Sequence, residues 1–540
     1  MRGRRLVAAL TAGLMGCLLA ACGGGSDDSD EPDGGRHTKA APGTLRVLAS
    51  SELSDMKPVL DAARKATGVR VEATWTGTLD ATELVTSGRA DGAYDAIWLS
   101  SNDYLRLSPE AGRKITSETP VMTSPVALGV REETLDRLGW SPERVTWSQI
   151  HRAAADGKLH FGMTDPVRSN SGFSALIALA AGLSGAQGAL SDEDVSSASG
   201  KLREFFGGQR LTSGSSGWLA SAYTRRGDLD GLINYESVLL SMNRDSGTDL
   251  TVIRPADGVL TADYPLTLLT SAPGHAKDSF AALTGYLRGT DAQRAITDGT
   301  FRRPVIGSVK PAAGLDAAKR RELPFPASRS VADGLLAGYE NTLRRPSRTV
   351  YVLDTSGSME GERLKQLKHS LGQLTGTGTS APGQRFRDRE EVTLMPFGGE
   401  VKQTLTHTVP KSGQDAALER IRSDTEGLTA SGDTAIYSSL RAAYEHLRKR
   451  SGGGSGDDRF TSIVLMTDGQ NTTGADAEEF RSFHGGLPAA LRAVPVFPIV
   501  FGDSDRQELD GIAELTGGRL FDAVRGGSLA SAFEEIRGYQ

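Results

Sequence analysis

One short run in the C-terminal half of the chain combines a carboxylate with two hydroxyl groups. The apolar segment Thr349 to Leu353, a predicted strand, ends in a D-x-S-x-S pattern formed by Asp354, Ser356 and Ser358. Carboxylate and hydroxyl oxygens are hard ligands, which suit Mg²⁺ or Mn²⁺ better than a soft metal. Taken alone, the same pattern is also typical of a helix-capping turn.

Two more loops each add an oxygen at a comparable position. Thr434 lies just before a predicted helix, and Asp468 follows a predicted strand that runs from Thr461 to Met466. Ligands of open α/β sheets bind at the carboxyl ends of the strands. We therefore expect one divalent-cation site, formed by Asp354, Ser356, Ser358, Thr434 and Asp468, with Mg²⁺ or Mn²⁺ favoured and Ca²⁺ as a further candidate.

Hydroxyl groups also recur between predicted strands and helices in the N-terminal half. The candidate solute-binding residues are Ser50, Ser51, Ser100, Ser101, Ser124, Ser169, Ser171 and Tyr235. At helix N-termini, hydroxyl and backbone N–H groups can hold an anion or a small polar solute. Serine is also the ordinary helix-capping residue, and each pair taken alone fits a cap better than a binding site. Arg168 would favour an anion but fits a solvated loop charge equally well, whereas Glu236 would favour a cation or a neutral hydroxylated solute. The class of solute stays open.

Strands alternate with helices in both halves of the chain. A predicted strand from Thr44 to Ala49 is followed by helical spacing and then by a second strand, Val69 to Ala73. This alternation predicts an α/β fold with a largely parallel sheet. A second α/β series starts at Thr349, and residues 311–346 between the two series form a connector with a predicted helix from Val331 to Leu343.

Length and composition restrict the class of protein. With 540 residues, the chain exceeds the usual size of one domain. A hydrophobic content of 38% and a charged content of 24% are globular values. The formal net charge of −6, without a basic stripe, argues against nucleic acid as a partner. Cys17 and Cys22 are the only two cysteines, so a disulfide framework, a cysteine zinc site and a thiol nucleophile are excluded from the rest of the chain.

The N-terminus has the pattern of an export signal. Basic residues precede the apolar run Leu6 to Leu19, which ends in Leu19-Ala20-Ala21-Cys22. That ending resembles the lipobox of bacterial lipoproteins, and the resemblance implies a signal peptide over residues 1–21 and lipidation of Cys22. Residues 22–43 then form a flexible tether. An ordinary signal peptide with a chance cysteine is the alternative. No second apolar stretch of about 20 residues follows. We therefore expect an extracytoplasmic protein, held at the cell membrane by its lipid anchor alone.

Residues 347–540 resemble the von Willebrand factor type A domain. Besides the five oxygen donors, the segments Val496 to Gly502 and Ile512 to Gly518 look like late elements of that family. The resemblance implies a Rossmann-like fold with an adhesion-type metal site. In such a site Ser356, Ser358 and Thr434 ligate the ion directly, whereas Asp354 and Asp468 act mostly through water. One coordination position would stay open for a carboxylate of an unknown protein partner.

Residues 44–310 resemble bacterial extracellular solute-binding proteins of the two-lobed type that includes the molybdate and sulfate receptors. The resemblance rests on the Thr-Trp turn at Thr146-Trp147, the Asp165-Pro166 loop and the segment Gln293 to Pro304. It implies a periplasmic-binding-protein-like domain with a solute between its lobes and crossovers near residues 124 and 254.

Catalytic motifs are absent from the sequence. None of the eight histidines lies in a zinc-protease pattern, and neither a G-x-S-x-G elbow nor a phosphate-binding P-loop occurs. We therefore expect a binding protein and not an enzyme, although a catalytic triad assembled only in space would escape this test. The leading hypothesis is a membrane-anchored binding lipoprotein that engages a protein partner through its metal. The alternative is the solute receptor of an ABC importer with an accessory second domain.

Overall fold

The computed structural model describes residues 43–226, 228–316, 318–376, 385–450, 459–523 and 529–539. The predicted signal peptide, tether and lipidated Cys22 lie outside these residues. In the described part of the chain, no helix has both the length and the apolar character needed to cross a membrane.

The first half alternates strands and helices as predicted. Its strands, in chain order, are β1 (Thr44–Ser50), β2 (Arg70–Thr76), β3 (Ala96–Trp98), β4 (Ile115–Pro120), β5 (Met122–Val130), β6 (Phe161–Thr164), β7 (Gln209–Ser213), β8 (Gly231–Tyr235), β9 (Thr251–Ile253), β10 (Thr261–Ala262), β11 (Pro265–Leu269) and β12 (Arg303–Pro304). Its α-helices are α1 (Lys57–Thr67), α2 (Thr78–Thr86), α3 (Asp103–Arg106), α4 (Pro109–Lys114), α5 (Glu132–Leu138), α6 (Trp147–Ala155), α7 (Asn170–Ser184), α8 (Asp192–Phe206), α9 (Ser216–Arg225), α10 (Glu236–Ser246), α11 (Gly274–Leu287), α12 (Thr290–Thr300) and α13 (Arg329–Gly338).

These strands form two sheets, one for each lobe. The first sheet has the order β2-β1-β3-β11-β4, in which β1 pairs in parallel with β2 and β3 while β11 runs antiparallel to its neighbours. The second sheet has the order β10-β5-β8-β6-β7, and β9 and β12 also pair with β5. The two-lobed α/β architecture agrees with the predicted fold class.

The chain crosses between the two sheets twice in this region. It leaves the first sheet at Pro120, where β4 ends, and joins the second sheet at Met122. It returns through Asp263 and Tyr264, because β10 still pairs with β5 and β11 is the next strand of the first sheet. The return therefore lies about nine residues beyond the position near 254 expected from the sequence. The two-residue strand β10 carries no periodicity that a sequence pattern could register.

Helix α7 is the buried centre of the second lobe. Its run of alanine, leucine and isoleucine is apolar on every side, as expected for a helix enclosed by protein. It ends at Gly185, which adopts the left-handed conformation with φ +76° that commonly terminates helices. The N-terminus of α7 lies directly after the Asp165-Pro166 loop and carries several of the predicted site residues.

The connector helix packs on the first domain. Ala332, Leu335 and Leu336 of α13 belong to the same buried cluster as the two lobes. A short π-helical turn, Tyr339–Leu343, follows α13 and stacks Tyr339 edge-on against Phe206, with ring centroids 5.0 Å apart. The connector is therefore a structural part of the first domain's surface and leads directly into the second domain.

The second half forms one six-stranded sheet. Its strands are β13 (Ser347–Asp354), β14 (Glu391–Phe397), β15 (Leu405–Thr408), β16 (Phe460–Thr467), β17 (Val496–Val500) and β18 (Phe521–Asp522). Its α-helices are α14 (Glu362–Leu374), α15 (Asp415–Glu426), α16 (Ile436–Arg450), α17 (Ala477–Gly485), α18 (Ala489–Arg492), α19 (Arg506–Thr516) and α20 (Leu529–Ile536). The strand order is β15-β14-β13-β16-β17-β18, and every pairing except β14 with β15 is parallel.

Helices cover both faces of this sheet. Along β13, Tyr351 and Leu353 face one cluster, with α14 and α20, while Val350 and Val352 face the other, with α16 and α17. Successive strand residues point to opposite faces, so a strand with both sets buried must be covered on both sides. This is the Rossmann-like arrangement that the sequence predicted.

The two halves meet at a surface that we call the domain joint, formed mainly by Asp165, Trp218, Arg387 and Tyr539. Arg387 donates to Asp165 Oδ2 over 3.3 Å, and the Trp218 ring lies edge-on to Tyr539 at 5.0 Å between centroids. A Cβ on Gly214 would come within 2.9 Å of the Tyr539 ring, so the glycine permits this close approach. Every tryptophan lies in the first half of the chain. Trp218 also borders the second domain, so its fluorescence reports on both domains.

Candidate functional site: the β13–β16 edge and the cleft between the lobes

The strand order places the D-x-S-x-S loop at the switch point of the second sheet. From β13 the chain goes to β14 on one side, and it later reaches β16 on the other side. The loops after β13 and β16 therefore diverge and leave a crevice at the carboxyl ends of the two strands, where open α/β sheets bind ligands. Asp354 is the last residue of β13, and Asp468 directly follows β16.

The five predicted donors come together in this crevice. Ser356 Oγ and Ser358 Oγ are 3.0 Å apart, and the Ser358 hydroxyl donates to Asp468 Oδ1 over 2.8 Å. A Cβ placed on Gly469 would lie 3.9 Å from Thr434 Oγ1 and 4.0 Å from Ser358 Oγ, so the threonine hydroxyl faces the same space. Three hydroxyl groups and two carboxylates thus line one small volume.

Asp354 is the deepest of the five and is fully buried. Its Oδ1 accepts from the backbone N–H of Ser356 over 2.8 Å, and its Oδ2 accepts from the Thr467 hydroxyl over 2.6 Å. Burial raises the pKa of the Asp354 carboxyl, and the nearby Asp468 carboxylate adds to the rise, although the two hydrogen bonds oppose it. The raised pKa reflects the unfavourable free energy of a buried negative charge, and a cation next to these carboxylates would offset it.

Two basic side chains border the same crevice. Lys402 Nζ donates to the carbonyl oxygen of Thr355 over 2.7 Å and to Ser431 Oγ over 3.0 Å, beneath the D-x-S-x-S loop. Arg363, on α14, donates to Asp468 Oδ2 over 2.6 Å. Neither residue is predictable from the sequence, because neither lies in a local motif and their contacts span tens of residues along the chain.

The chemistry of the donors fits a hard divalent cation. Among the described residues no cluster of three or more His, Cys, Asp or Glu side chains could hold a metal ion. The five residues at this edge do not form such a cluster, because only two of them are carboxylates and the other three contribute hydroxyl oxygens. A set of neutral hydroxyls with two carboxylates matches the oxygen-ligand preference of Mg²⁺, Mn²⁺ or Ca²⁺.

In the first half, Asn170 joins the two lobes. Its Nδ2 donates to Ser50 Oγ over 2.7 Å, and its Oδ1 accepts from the backbone N–H of Thr78 over 2.9 Å. Ser50 and Thr78 belong to the first lobe, whereas Asn170 is the first residue of α7 in the second lobe. One cavity at this place is lined from both lobes and from the connector, by Thr78, Ser100, Ser101, Asp103, Tyr104, Asn170, Phe173, Ser174, Leu260, Thr261 and Phe325.

The predicted hydroxyl residues separate into three groups. Ser100 and Ser101 line the inter-lobe cavity, and Ser50 contacts its Asn170. Tyr235 lies beside the cavity, with its hydroxyl group 3.3 Å from Ser174 Oγ.

A second group forms a hydrogen-bonded network inside the second lobe. Ser171 Oγ lies 2.8 Å from Thr164 Oγ1, 3.0 Å from Ser216 Oγ and 3.3 Å from Ser169 Oγ. These hydroxyl groups tie the N-terminus of α7 to the ends of β6 and α9. In the third group, Ser124 is bonded to the N-terminus of α10 through Ser237, and Ser51 is exposed at the start of a short 3₁₀ helix.

Several cavity residues were missed by the sequence pattern. Tyr104 and Phe173 stack edge-on with centroids 5.3 Å apart, and Phe325 of the connector packs on Phe173 at 6.0 Å. Isolated aromatic residues in apolar runs are indistinguishable from core residues in a sequence. Asn170 lies between Ser169 and Ser171. This position next to two predicted hydroxyl residues is the one feature of the sequence that could have indicated its place in the cavity.

Family models match both halves. The model described as bacterial extracellular solute-binding protein matches residues 45–302. The model described as von Willebrand factor type A domain matches residues 349–470, a range that includes all five candidate metal ligands. This chain therefore combines a bacterial extracellular solute-binding domain with a von Willebrand factor type A domain. Both are families of binding proteins, and the first places the chain among extracytoplasmic binding proteins.

Curated relatives are distant and match only part of this chain. The chain is 28% identical over 179 residues to the uncharacterized protein sll0103 of Synechocystis, covering 33% of this chain and 37% of that protein. It is 28% identical over 185 residues to inter-alpha-trypsin inhibitor heavy chain H1 of Bos taurus, covering 34% of this chain and 19% of that protein. The matched part is well under two thirds of either relative's length.

Solved structures with some likeness include periplasmic binding proteins. One is AfuA of Actinobacillus pleuropneumoniae, at 12% identity and a TM-score of 0.45, covering 55% of this chain and 98% of that one. Another is the ferric ion-binding protein A of Pasteurella haemolytica, at 14% identity and a TM-score of 0.43, covering 55% of this chain and 96% of that one.

Proposed function

We propose that this protein is an extracytoplasmic binding lipoprotein whose second domain holds a divalent cation and captures a protein partner through it. Cys22 would carry the lipid anchor, and residues 22–43 would hold the folded part away from the membrane. The first domain would bind a small polar or anionic solute between its lobes. The protein would act by binding alone, without catalysis.

The observation that supports the metal site best is the convergence of five oxygen donors at one sheet edge. Ser356, Ser358 and Thr434 would ligate the ion through their hydroxyl oxygens, while Asp354 and Asp468 would accept hydrogen bonds from its water ligands. When bound, the ion supplies one electrophilic position for a carboxylate from outside. Mg²⁺ and Mn²⁺ are the first candidates, because they favour octahedral oxygen sites.

Metal binding is tested by calorimetric titration of the full chain with Mn²⁺. Replacing Asp354 by Ala removes the deepest carboxylate, so we expect the affinity to fall at least about tenfold. Thr434→Ala removes one hydroxyl and should weaken binding less. Asp510→Ala, which removes an exposed carboxylate of α19, is the matched control and should bind as the wild type does. Circular dichroism shows whether each variant is folded.

The partner is then sought by capture with immobilised protein in Mn²⁺ and in chelator. Capture that needs Mn²⁺ and is lost in Asp354→Ala supports the proposal. Saturable Mn²⁺ binding that is equal in the wild type and in Asp354→Ala would show that the ion binds elsewhere, and the proposed site would be wrong.

A second candidate function is that of a solute receptor for an importer. It is favoured by the inter-lobe cavity, to which Ser100 and Tyr104 contribute from one lobe and Phe173 and Ser174 from the other. The two functions differ in their dependence on the metal. Uptake that persists in cells carrying Asp354→Ala, but is lost with Asn170→Ala, would favour the receptor.

A further inference from the structure

Arg363 contacts one of the candidate metal ligands directly. Its Nη1 donates to Asp468 Oδ2 over 2.6 Å, and its Nη2 donates to Asp503 Oδ2 over 2.6 Å. Asp468 is fully buried, whereas the Asp503 carboxylate is 88% exposed. The guanidinium group therefore bridges the interior of the site and its solvent-exposed rim.

The fold provides space for this contact. Gly502, two residues after the end of β17, has φ +59°, and a Cβ at this position would lie 3.2 Å from Arg363 Cζ and Nε. The same Cβ would lie 3.1 Å from Asp468 Cβ. Most side chains would therefore be strained at this φ and would also crowd the guanidinium group, so the glycine leaves both residues in place.

Both carboxylate oxygens of Asp468 accept a hydrogen bond in this arrangement. Its Oδ1 accepts from the Ser358 hydroxyl, and its Oδ2 accepts from Arg363. A water ligand of a bound ion would have to share or displace one of these contacts. Asp468 therefore offers the ion less negative charge than a carboxylate that faces water alone.

The positive side chains around the site also reduce its attraction for a cation. Asp354, Asp468 and the exposed Asp503 contribute three negative charges, and Arg363 and Lys402 contribute two positive charges at the same edge. The two basic side chains therefore offset most of the negative charge before any ion arrives. A divalent cation must then bind next to a guanidinium group with little net attraction to offset the repulsion.

We propose that Arg363 limits the affinity of this site for divalent cations through its positive charge beside Asp468. This inference rests on the proposed function, since it assumes that the five donors bind a metal. Two charges on the ion and one on the guanidinium group, about 6 Å apart, repel by an amount that corresponds to about tenfold in affinity even at the dielectric constant of water. Arg363 would thus keep the site weakly loaded until an outside carboxylate adds negative charge.

The test is calorimetric titration of the full chain with Mn²⁺ in four forms. Arg363→Gln removes the charge, and we expect binding about tenfold tighter than in the wild type. Arg363→Lys keeps the charge and should bind within about threefold of the wild type. Lys365→Gln is the matched control, because it removes a positive charge from the same helix at an exposed position paired with Glu362, and it should leave the affinity unchanged.

Two results would overturn the inference, and they differ from each other. If the wild type binds Mn²⁺ and Arg363→Gln binds equally or more weakly, Arg363 orders the site or is neutral, and only this inference is wrong. If neither protein binds Mn²⁺, the proposed metal site itself is wrong and the inference is lost with it. Binding by Arg363→Gln alone, abolished by a further Asp354→Ala substitution, would support the inference.

Discussion

At the scale of single residues, Asp263 is a carboxylic acid whose charge opposes folding. It lies at the return crossover between the lobes, next to Asp103 and Glu118 and facing Arg106. Burial, together with the Asp103 carboxylate and opposed by Arg106, raises the pKa of its carboxyl group to about 6. The folded state therefore holds this proton more tightly than the unfolded chain does.

A carboxyl group with a raised folded-state pKa destabilises the protein above that pKa. The contribution is absent below the unfolded value of about 4 and develops as the pH rises to about 6. We expect Asp263→Asn to raise the free energy of unfolding at pH 7 by about 1–2 kcal/mol and to leave it unchanged at pH 4. Thermal unfolding at both pH values measures this, with exposed Asp278→Asn as the control. Equal melting temperatures of Asp263→Asn and wild type at pH 7 would contradict the prediction.

The candidate metal ligands were predictable one by one, whereas their basic neighbours were not. Asp354, Ser356 and Ser358 share one loop, Asp468 follows the rule that strand ends collect ligands, and Thr434 lies in the loop just before α16. Arg363 lies 105 residues from Asp468 in sequence, and its contact also depends on the conformation of Gly502. A local pattern contains no information on such a pairing, because the packing of α14 against the sheet creates it.

At the scale of elements, the N-terminus of α7 depends on a glycine. A Cβ on Gly172 would lie 2.3 Å from the carbonyl oxygen of Thr164 and 2.8 Å from Thr164 Oγ1. The helix therefore lies against the end of β6 more closely than any other residue permits. This close contact also holds Asn170 where it reaches Ser50 across the cleft.

Gly172→Ala must push α7 away from β6. We expect a loss of about 2–3 kcal/mol in the free energy of unfolding, the usual range for overpacking a dense core. Gly200→Ala is the matched control, because Gly200 lies inside α8 with nothing within 4 Å of its added Cβ, and it should be stabilising by about 0.5–1 kcal/mol. Urea unfolding of the two variants measures both. Equal effects of the same sign would show that helix propensity alone governs these positions.

The elements themselves were largely predictable, but the ends and short strands were not. The strands β1, β13 and β16 are apolar runs in which successive residues point to opposite faces of the sheet. Both faces must therefore be buried under helices. The strands β10, β12 and β18 have two residues each and exist only because a longer neighbour offers free hydrogen-bonding groups. This is why the return crossover was expected too early in the sequence.

At the scale of the whole molecule, the domain joint connects the cleft side of the second lobe to the C-terminal end of the second domain. Arg387 donates to Glu340 over 3.1 Å, to Asp165 over 3.3 Å and to the carbonyl oxygen of Arg537 over 3.0 Å. Asp165 is fully buried and Arg387 nearly so, and each has a second ionic partner, Arg344 at 3.6 Å for Asp165 and Glu340 for Arg387, so the joint contains a buried network of charges. No sequence pattern predicts this joint, since each half has a complete core of its own.

Trp218 is the apolar centre of the joint. Its Nε1 donates to the carbonyl oxygen of Gly518 over 3.3 Å, and its ring lies 6.0 Å from that of Phe497 and 5.0 Å from that of Tyr539. Two domains with such contacts should unfold together, whereas domains joined by a small polar interface move and unfold separately. We expect the full chain to give one calorimetric transition and Trp218→Ala to give two.

The four remaining tryptophans make the two transitions separable. Trp75, Trp98, Trp140 and Trp147 all belong to the first domain, so in Trp218→Ala their emission should follow one transition while circular dichroism follows both. Trp75→Ala is the control, because Trp75 is 46% exposed in the first domain and away from the joint, and it should keep the single transition. Two separated transitions in the wild type would mean that the contacts of Trp218 and Arg387 are too weak to couple the domains. The proposed solute cleft and the proposed metal site would then act independently.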